Sequence, residues 1–240
     1  SMFPMTLLEK ARDKDLILLD KAEEEFDEDG ESQGIFGQHF VGWDPAIASD
    51  ANADYTAMAV LRVPPGSEEK QLVFVLNEKG LNGSAQKRHI ILLNSRFRPD
   101  LIELEGNNFQ RMFAAELQEM REDIPIKTFM TTRQRKESMF MSLLMAFEQG
   151  KIKTPWGNEK SKEFTRTLET QLSRFGMQKN GRLESVGSHD DLAMALALSN
   201  WATKEFRGSI VMLDDYLPGF DDWFGDVPQQ NVAGANWFVA

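Results

Sequence analysis

The 240-residue sequence contains no cysteine. That excludes disulfides, thiolate nucleophiles and cysteine-based zinc sites, and it suits a reducing cytosolic compartment. No apolar run approaches the roughly 20 residues needed to cross a bilayer, and the N-terminus lacks the charged-then-apolar order of a signal peptide. No G-x-x-x-x-G-K-[S/T] occurs either. The stretch Gly80-Leu-Asn-Gly-Ser-Ala-Gln-Lys87 has glycine and lysine in the wrong spacing and without the preceding strand end, so P-loop nucleotide chemistry is excluded. There is no internal repeat. Basic charge is also in short supply, with 27 Lys and Arg against 38 Asp and Glu and a formal net charge of −11.

The shortfall is concentrated at the two ends. Residues 1–35 hold four basic and eleven acidic side chains, and residues 209–240 hold five aspartates and no basic residue. Residues 36–208 carry twenty-three basic and twenty-two acidic groups, a net of +1. A polyanionic ligand is therefore not excluded, because the field near a groove steers it, not the total charge. An apolar fraction of 41% is enough for an ordinary core, and the length allows one large domain with extensions. Ser1-Met2 reads as an expression scar ahead of a fragment of a longer protein.

Three parts follow from the pattern: an acidic helical linker over 1–35, a folded domain over 36–208 and an acidic, aromatic tail over 209–240. Thr6 to Phe26 is expected to be helical and to pass into a solvated acidic run, 27–34. Strands are expected at 39–43, 55–63 and 71–76, joined as an antiparallel meander. Helices at 84–97, 109–120, 136–149, 162–175 and 188–206 then alternate with strands at 101–104 and 125–129. Asn180-Gly181 inside 177–185 is a strong hairpin signal. Together these predict an α/β domain with a mixed sheet and helices over its faces.

Acidic residues stand where these elements end or begin: Asp44 in Phe40-Val-Gly-Trp-Asp-Pro45, Glu105 in Leu101-Ile-Glu-Leu-Glu-Gly106, and Asp190 and Asp191 before the last helix. Each has an ordinary explanation. Asp-Pro opens turns, Glu105 can start a solvated loop, and acids in a first helical turn complement the macrodipole. Ser188 and Asp191 also have capping-box spacing. If the three sites converge, they form an all-oxygen pocket for hard divalent cations, the arrangement that cleaves phosphodiesters. His189 could position a water or a phosphate, or simply neighbour the helix start. Asp54 reads as a strand-start or outer acid and Asp50 as a loop residue.

The blocks Gly42-Trp-Asp-Pro45, Asp54-Tyr-Thr-Ala-Met-Ala-Val, Glu105-Gly-Asn-Asn-Phe-Gln110 and His189-Asp-Asp-Leu-Ala-Met-Ala-Leu-Ala-Leu198 resemble, in order and spacing, the C-terminal nuclease domain of a tailed-phage large terminase subunit. The resemblance covers roughly 36–207. It implies an RNase H-like (retroviral integrase-like) fold whose first three strands are antiparallel. It also implies a two-metal endonuclease, using Mg²⁺ or Mn²⁺, that cuts concatemeric viral DNA during packaging. Carried onto this sequence, it makes Asp44 the central ligand, Glu105 the second and Asp191 the helix ligand, with Asp190 as its companion. Relatives often carry a further acid where this chain has Met194. That departure leaves the second metal thinly held, so Mn²⁺ dependence or weak occupancy without DNA is expected. The hairpin gains a role gating the groove, with Lys179 and Arg182 on phosphate, and Arg133, Arg135 and Lys136 extend the DNA track. Implied partners are double-stranded DNA and the ATPase domain of the same full-length subunit, with the portal protein and small terminase as further candidates. The setting is the host cytoplasm at the viral procapsid. Two alternatives stay open: another RNase H-like nuclease such as a junction resolvase, or a non-catalytic module docking on portal or motor.

Overall fold

The computed structural model describes residues 1–46, 55–106, 108–177, 183–185 and 189–210. In chain order they form α1 (Met5–Lys10), β1 (Arg12–Asp13), β2 (Glu24–Phe26), β3 (Ser32–Ile35), β4 (Gln38–Asp44), β5 (Tyr55–Val63) and β6 (Lys70–Lys79). Then come α2 (Gly83–Phe97), β7 (Leu101–Gly106), α3 (Asn108–Met120), β8 (Ile126–Met130) and α4 (Arg133–Glu148). The chain continues with β9 (Ile152–Pro155), α5 (Glu159–Ser173), β10 (Phe175–Met177), β11 (Leu183–Ser185) and α6 (Asp191–Ile210).

Seven strands make one mixed sheet in the order β1-β9-β6-β5-β4-β7-β8. β4, β5 and β6 are the expected antiparallel meander, and β7 and β8 then add in parallel beside β4. Side chains alternate across each strand, so the sheet has two distinct faces. Val41, Trp43, Met58, Val60, Ile102 and Leu104 face α2 and α3. Ala57, Ala59, Leu61 and Leu72 face α1, α4, α5 and α6. The sheet is therefore covered on both sides, which is why β5 reads as an unbroken apolar run rather than an alternating one.

The helix expected over 6–26 is confined to Met5–Lys10. Beyond it the backbone is used by other elements. Arg12 and Asp13 pair with Thr154 and Pro155 of β9, Leu19 N–H donates to the Val73 carbonyl, and Ala22 N–H donates to the Arg96 carbonyl. Arg12 also clamps the buried Glu169 through two 2.7 Å hydrogen bonds. These tertiary bonds outcompete a local helical ladder that propensity alone favours only weakly. The acidic run is exposed as expected, but it turns the β2–β3 hairpin. There the Asp27 carboxylate accepts from the Asp29 and Glu31 N–H groups. Strand β9 has no counterpart in the sequence reading. It is four residues long, contains a lysine and ends in proline, so it carries little strand signal. The strands of the expected 177–185 hairpin pair antiparallel, Phe175 with Ser185 and Met177 with Leu183. Its Asn180-Gly181 turn lies outside the described residues, as does the 211–240 tail.

Candidate metal centre

Strand parity decides which acids can meet. On β4, Phe40, Gly42 and Asp44 share one face, and Gly42 lies opposite Ala59, which faces α6. On β7, Glu103 pairs with Gly42 in parallel register and Trp43 with Leu104. Asp44 and Glu105 are therefore neighbours on adjacent strands, about 4.8 Å apart along the hydrogen-bonding direction, and both point toward α6. Pro45 ends the β4 ladder directly after Asp44. The strand end is pinned by Ala46, whose N–H donates to the Thr56 hydroxyl and whose carbonyl accepts from the buried Gln86 amide.

Helix α6 crosses β4 at very short range. A Cβ added to Gly42 would lie 1.9 Å from the Ala195 carbonyl oxygen, so only glycine lets the helix approach this closely. The Ser199 hydroxyl donates to the Phe40 carbonyl at 2.8 Å, which makes helix and strand run in opposite directions. From the crossing point, Asp191 is four helical residues back, about 6 Å. Asp44 is two strand residues forward, about 6.6 Å. The two steps nearly match, and they bring the start of α6 over the end of β4. Gln171 of α5 holds that start in place by accepting from Ala193 N–H at 3.0 Å, satisfying one of the orphan donors of the first turn.

The electrostatics follow from this convergence. Burial raises the Asp44 carboxyl well above the ordinary aspartate range, as do the field of Glu105, a hydrogen bond between the two side chains, and the fields of Asp191 and Asp190. Burial and the negative neighbours both favour the neutral form of Asp44. Thr131 donates its hydroxyl to Glu105 at 2.9 Å. Lys136 Nζ lies 3.7 Å from Asp190, and His189 Nδ1 lies 3.8 Å from Asp191. Among the described residues, no three acidic or histidine side chains are already posed as a ready-made metal cage. The Lys136 and His189 nitrogens lie beyond hydrogen-bonding distance of Asp190 and Asp191 and offset part of their charge. The donor set fits hard divalent ions: carboxylate oxygens only, and an excess of negative charge that neutralisation would relieve.

The sequence profile described as the terminase RNaseH-like domain matches residues 41–200, which spans all four acids. The chain belongs to that family. No curated protein sequence matches it significantly. Among solved structures, the large terminase nuclease of thermophilic phage G20c with bound magnesium shares its fold. The TM-score is 0.58 at 19% identity, covering 84% of this chain and 96% of that one. The nuclease domain of the large terminase subunit gp2 of bacterial virus Sf6 gives 0.56 at 12% identity over 83% and 98%. The bacteriophage HK97 large terminase gives 0.56 at 10% identity, and there the match covers 83% of this chain but 43% of that larger one.

In this terminase RNaseH-like domain the remaining expected residues separate by position. Arg133, Arg135 and Lys136 all lie in the first turn of α4, where cations oppose the helix dipole. Arg133 is compensated by Glu137 at 3.0 Å, Arg135 stacks 4.5 Å over the Phe129 ring, and Lys136 faces Asp190. Met194 is buried in the core, 3% exposed. Lys179, Arg182, Asp50 and Asp54 lie outside the described residues. Two residues that reasoning on the sequence missed belong to the site: Thr131, which orients Glu105, and Gln171, which braces the start of α6. Neither carries a signal of its own, since an isolated threonine after a strand and a glutamine within a helix are commonplace.

Proposed function

We propose that this domain is a divalent-metal-dependent DNA endonuclease that cuts concatemeric viral DNA during genome packaging. The observation that carries the reading is the register of β4 and β7 and the close crossing of α6 over Gly42, which bring Asp44, Glu105, Asp191 and Asp190 to one end of the sheet. Four carboxylates from three distant parts of the chain are brought together at a cost that a bound cation would repay. Support also comes from the G20c relatives, described with bound magnesium and with bound cobalt.

Asp44, Glu105, Asp191 and Asp190 would hold the ions. A pair of Mg²⁺ or Mn²⁺ ions there would supply an activated water and neutralise charge on the leaving oxygen. The protein's own groups do the rest. Thr131 fixes the Glu105 carboxylate through its hydroxyl, and Lys136 offsets the charge of Asp190. His189, beside Asp191, is placed to hold a water or a phosphate oxygen. The buried thioether of Met194 offers no hard oxygen, so Asp190 is the remaining donor for a second ion, and preference for Mn²⁺ follows. Arg133 and Arg135 near the site, with Lys179 and Arg182 between β10 and β11, are the proposed backbone contacts. In the cell, the partners would be double-stranded DNA and the ATPase portion of the full-length subunit. Portal and small terminase would be met at the procapsid in the host cytoplasm.

The test is nicking and linearisation of supercoiled plasmid with Mg²⁺, with Mn²⁺ and with EDTA. Cleavage that needs the ion and disappears in Asp44→Ala, with an unchanged circular dichroism spectrum, is the expected result. A folded wild-type domain inert with both ions at every salt concentration would refute the reading.

A further inference from the structure

A cavity of about 350 Å³ lies beside the carboxylates, between α5 and the β5–β6 end of the sheet. Among the described residues its lining includes Arg166, Arg174, Asn77, Tyr55 and His189, and no acidic side chain. Arg166 and Arg174 stand on the same stripe of α5, are exposed, and make no salt bridge among the described residues. Arg166 is partly fixed by the Trp156 ring, 5.2 Å from its guanidinium carbon. Asn77 has a buried amide oxygen with no hydrogen-bond partner. An amide in that state can turn over and present its NH₂ donors to an anion.

The cavity is in register with the site. Asn77 pairs with Ala57, and Ala57 with Asp44, so Asn77 lies in the same cross-strand row as Asp44, two strands and about 10 Å away. It faces the same way, since Val75, two residues before it, packs in the α6-side core. His189 joins the two places, lining the cavity while 3.8 Å from Asp191.

We propose that this cavity is a phosphate subsite that grips the strand being cut, within about three nucleotides of the scissile bond, given the roughly 3.4 Å axial advance per nucleotide. The two guanidinium groups supply planar, charge-assisted donors to the phosphate oxygens, and Asn77 supplies the directional contact. The assignment to a DNA strand rests on the nuclease reading; the affinity for phosphate does not.

Binding to a fluorescein-labelled duplex is measured by anisotropy in EDTA over a series of salt concentrations, comparing wild type with Arg166→Gln/Arg174→Gln and with Asn77→Leu. Arg88→Gln on α2, at the opposite face, serves as the control. The double variant should bind about tenfold more weakly per arginine lost. Its slope of log affinity against log salt should fall by about 0.9, the share of one neutralised phosphate. Asn77→Leu should weaken binding without changing the slope, and Arg166→Lys should restore the slope while recovering affinity only in part. A double variant with the wild-type slope and a wild-type melting temperature overturns the subsite. One that loses affinity for inorganic phosphate but binds DNA normally keeps the phosphate site and overturns its assignment to a DNA strand. Because these assays contain no metal, a wild type that never cleaves yet shows the slope change refutes the nuclease reading and leaves the subsite standing.

Discussion

The two faces of the central sheet are made by alternate residues of the same strands, yet they do different work. Toward α2 and α3, β4 and β7 present Val41, Trp43, Ile102 and Leu104, all fully buried and apolar. Toward α6 the same strands present Gly42, Asp44, Glu103 and Glu105. One face is packed for stability alone. The other gives up apolar burial for a bare backbone crossing and a row of carboxylates. A single step along the chain, from Trp43 to Asp44, crosses from one regime to the other, and neighbouring substitutions should therefore fail in different ways.

The largest contrast is between those two residues. Trp43→Ala should cost about 3–5 kcal/mol of stability, seen as a large drop in the urea midpoint, with any activity lost through unfolding. Asp44→Asn should leave the fold intact or slightly stabilised, since it removes a carboxyl whose charge is disfavoured by burial and by the fields of Glu105, Asp191 and Asp190. Cleavage should nevertheless fall by on the order of 10³-fold, the scale lost with a group that stabilises transition-state charge. If Asp44→Asn unfolds the domain, or Trp43→Ala cuts DNA normally at full stability, the division between the faces is wrong.

Gly42→Ala attacks the crossing itself. The added methyl meets the Ala195 carbonyl at 1.9 Å, so α6 has to lift, at about 1–3 kcal/mol for overpacking. Asp191 moves with it. Loss of cleavage should exceed what the stability loss explains, measured at a temperature where the variant is fully folded. Equal activity per folded molecule would mean that the helix position does not set the site.

This crossing also shows how much the sequence made legible. Apart from the short β1 and β9, the strands and helices of the central sheet, the meander and the acids at element ends could be read, because apolar periodicity and turn residues report local structure directly. Glycine at 42 and the alanines of α6 were visible as small residues, but nothing in the sequence says that they touch each other. The convergence depended on strand parity and register, which are relations between distant segments. The N-terminal segment was misread for the same reason. Residues 11–23 satisfy their backbone on β9, β6 and α2 rather than on themselves. Arg166, Arg174 and Asn77 carry no signal of their own in the sequence, because only the folded chain brings them to line one cavity.

A smaller effect is expected at Thr131, which touches the site only through Glu105. Thr131→Val keeps the shape and removes the donor. Cleavage should fall about 10- to 100-fold, the usual cost of losing a group that orients a metal ligand, with a higher metal concentration needed for half-maximal rate. Thr131→Ser should recover most of the loss. A variant with unchanged metal dependence would show that Glu105 is oriented by something else.

The last and most discriminating prediction concerns pH, because Glu103 and His39 are buried on opposite faces with shifts of opposite sign. Glu103, 1% exposed, has both oxygens without a hydrogen-bond partner. Burial, and after it the field of Glu205, pushes its carboxyl up to about 8. On the opposite face, His39 is equally buried, with both ring nitrogens unpaired. Burial, and after it the Arg62 charge, lowers its imidazole to about 4. The signs are opposite. The unfolded chain ionises Glu103 near 4.5 while the folded one keeps it neutral, so stability falls as pH rises from about 4.5 through 8. The unfolded chain protonates His39 near 6.5 while the folded one resists, so stability falls as pH drops from about 6.5 through 4. Glu103→Gln should remove the Glu103 share of the alkaline decline in melting temperature, leaving the share of Asp44 and the acid side unchanged, and His39→Phe should reduce the acid-side decline alone. A Glu103→Gln profile that still declines toward pH 8 as in wild type would mean that the site-facing side of the sheet admits more water than its burial indicates. The contrast between a dry face and a charged one would then have to be redrawn around that water.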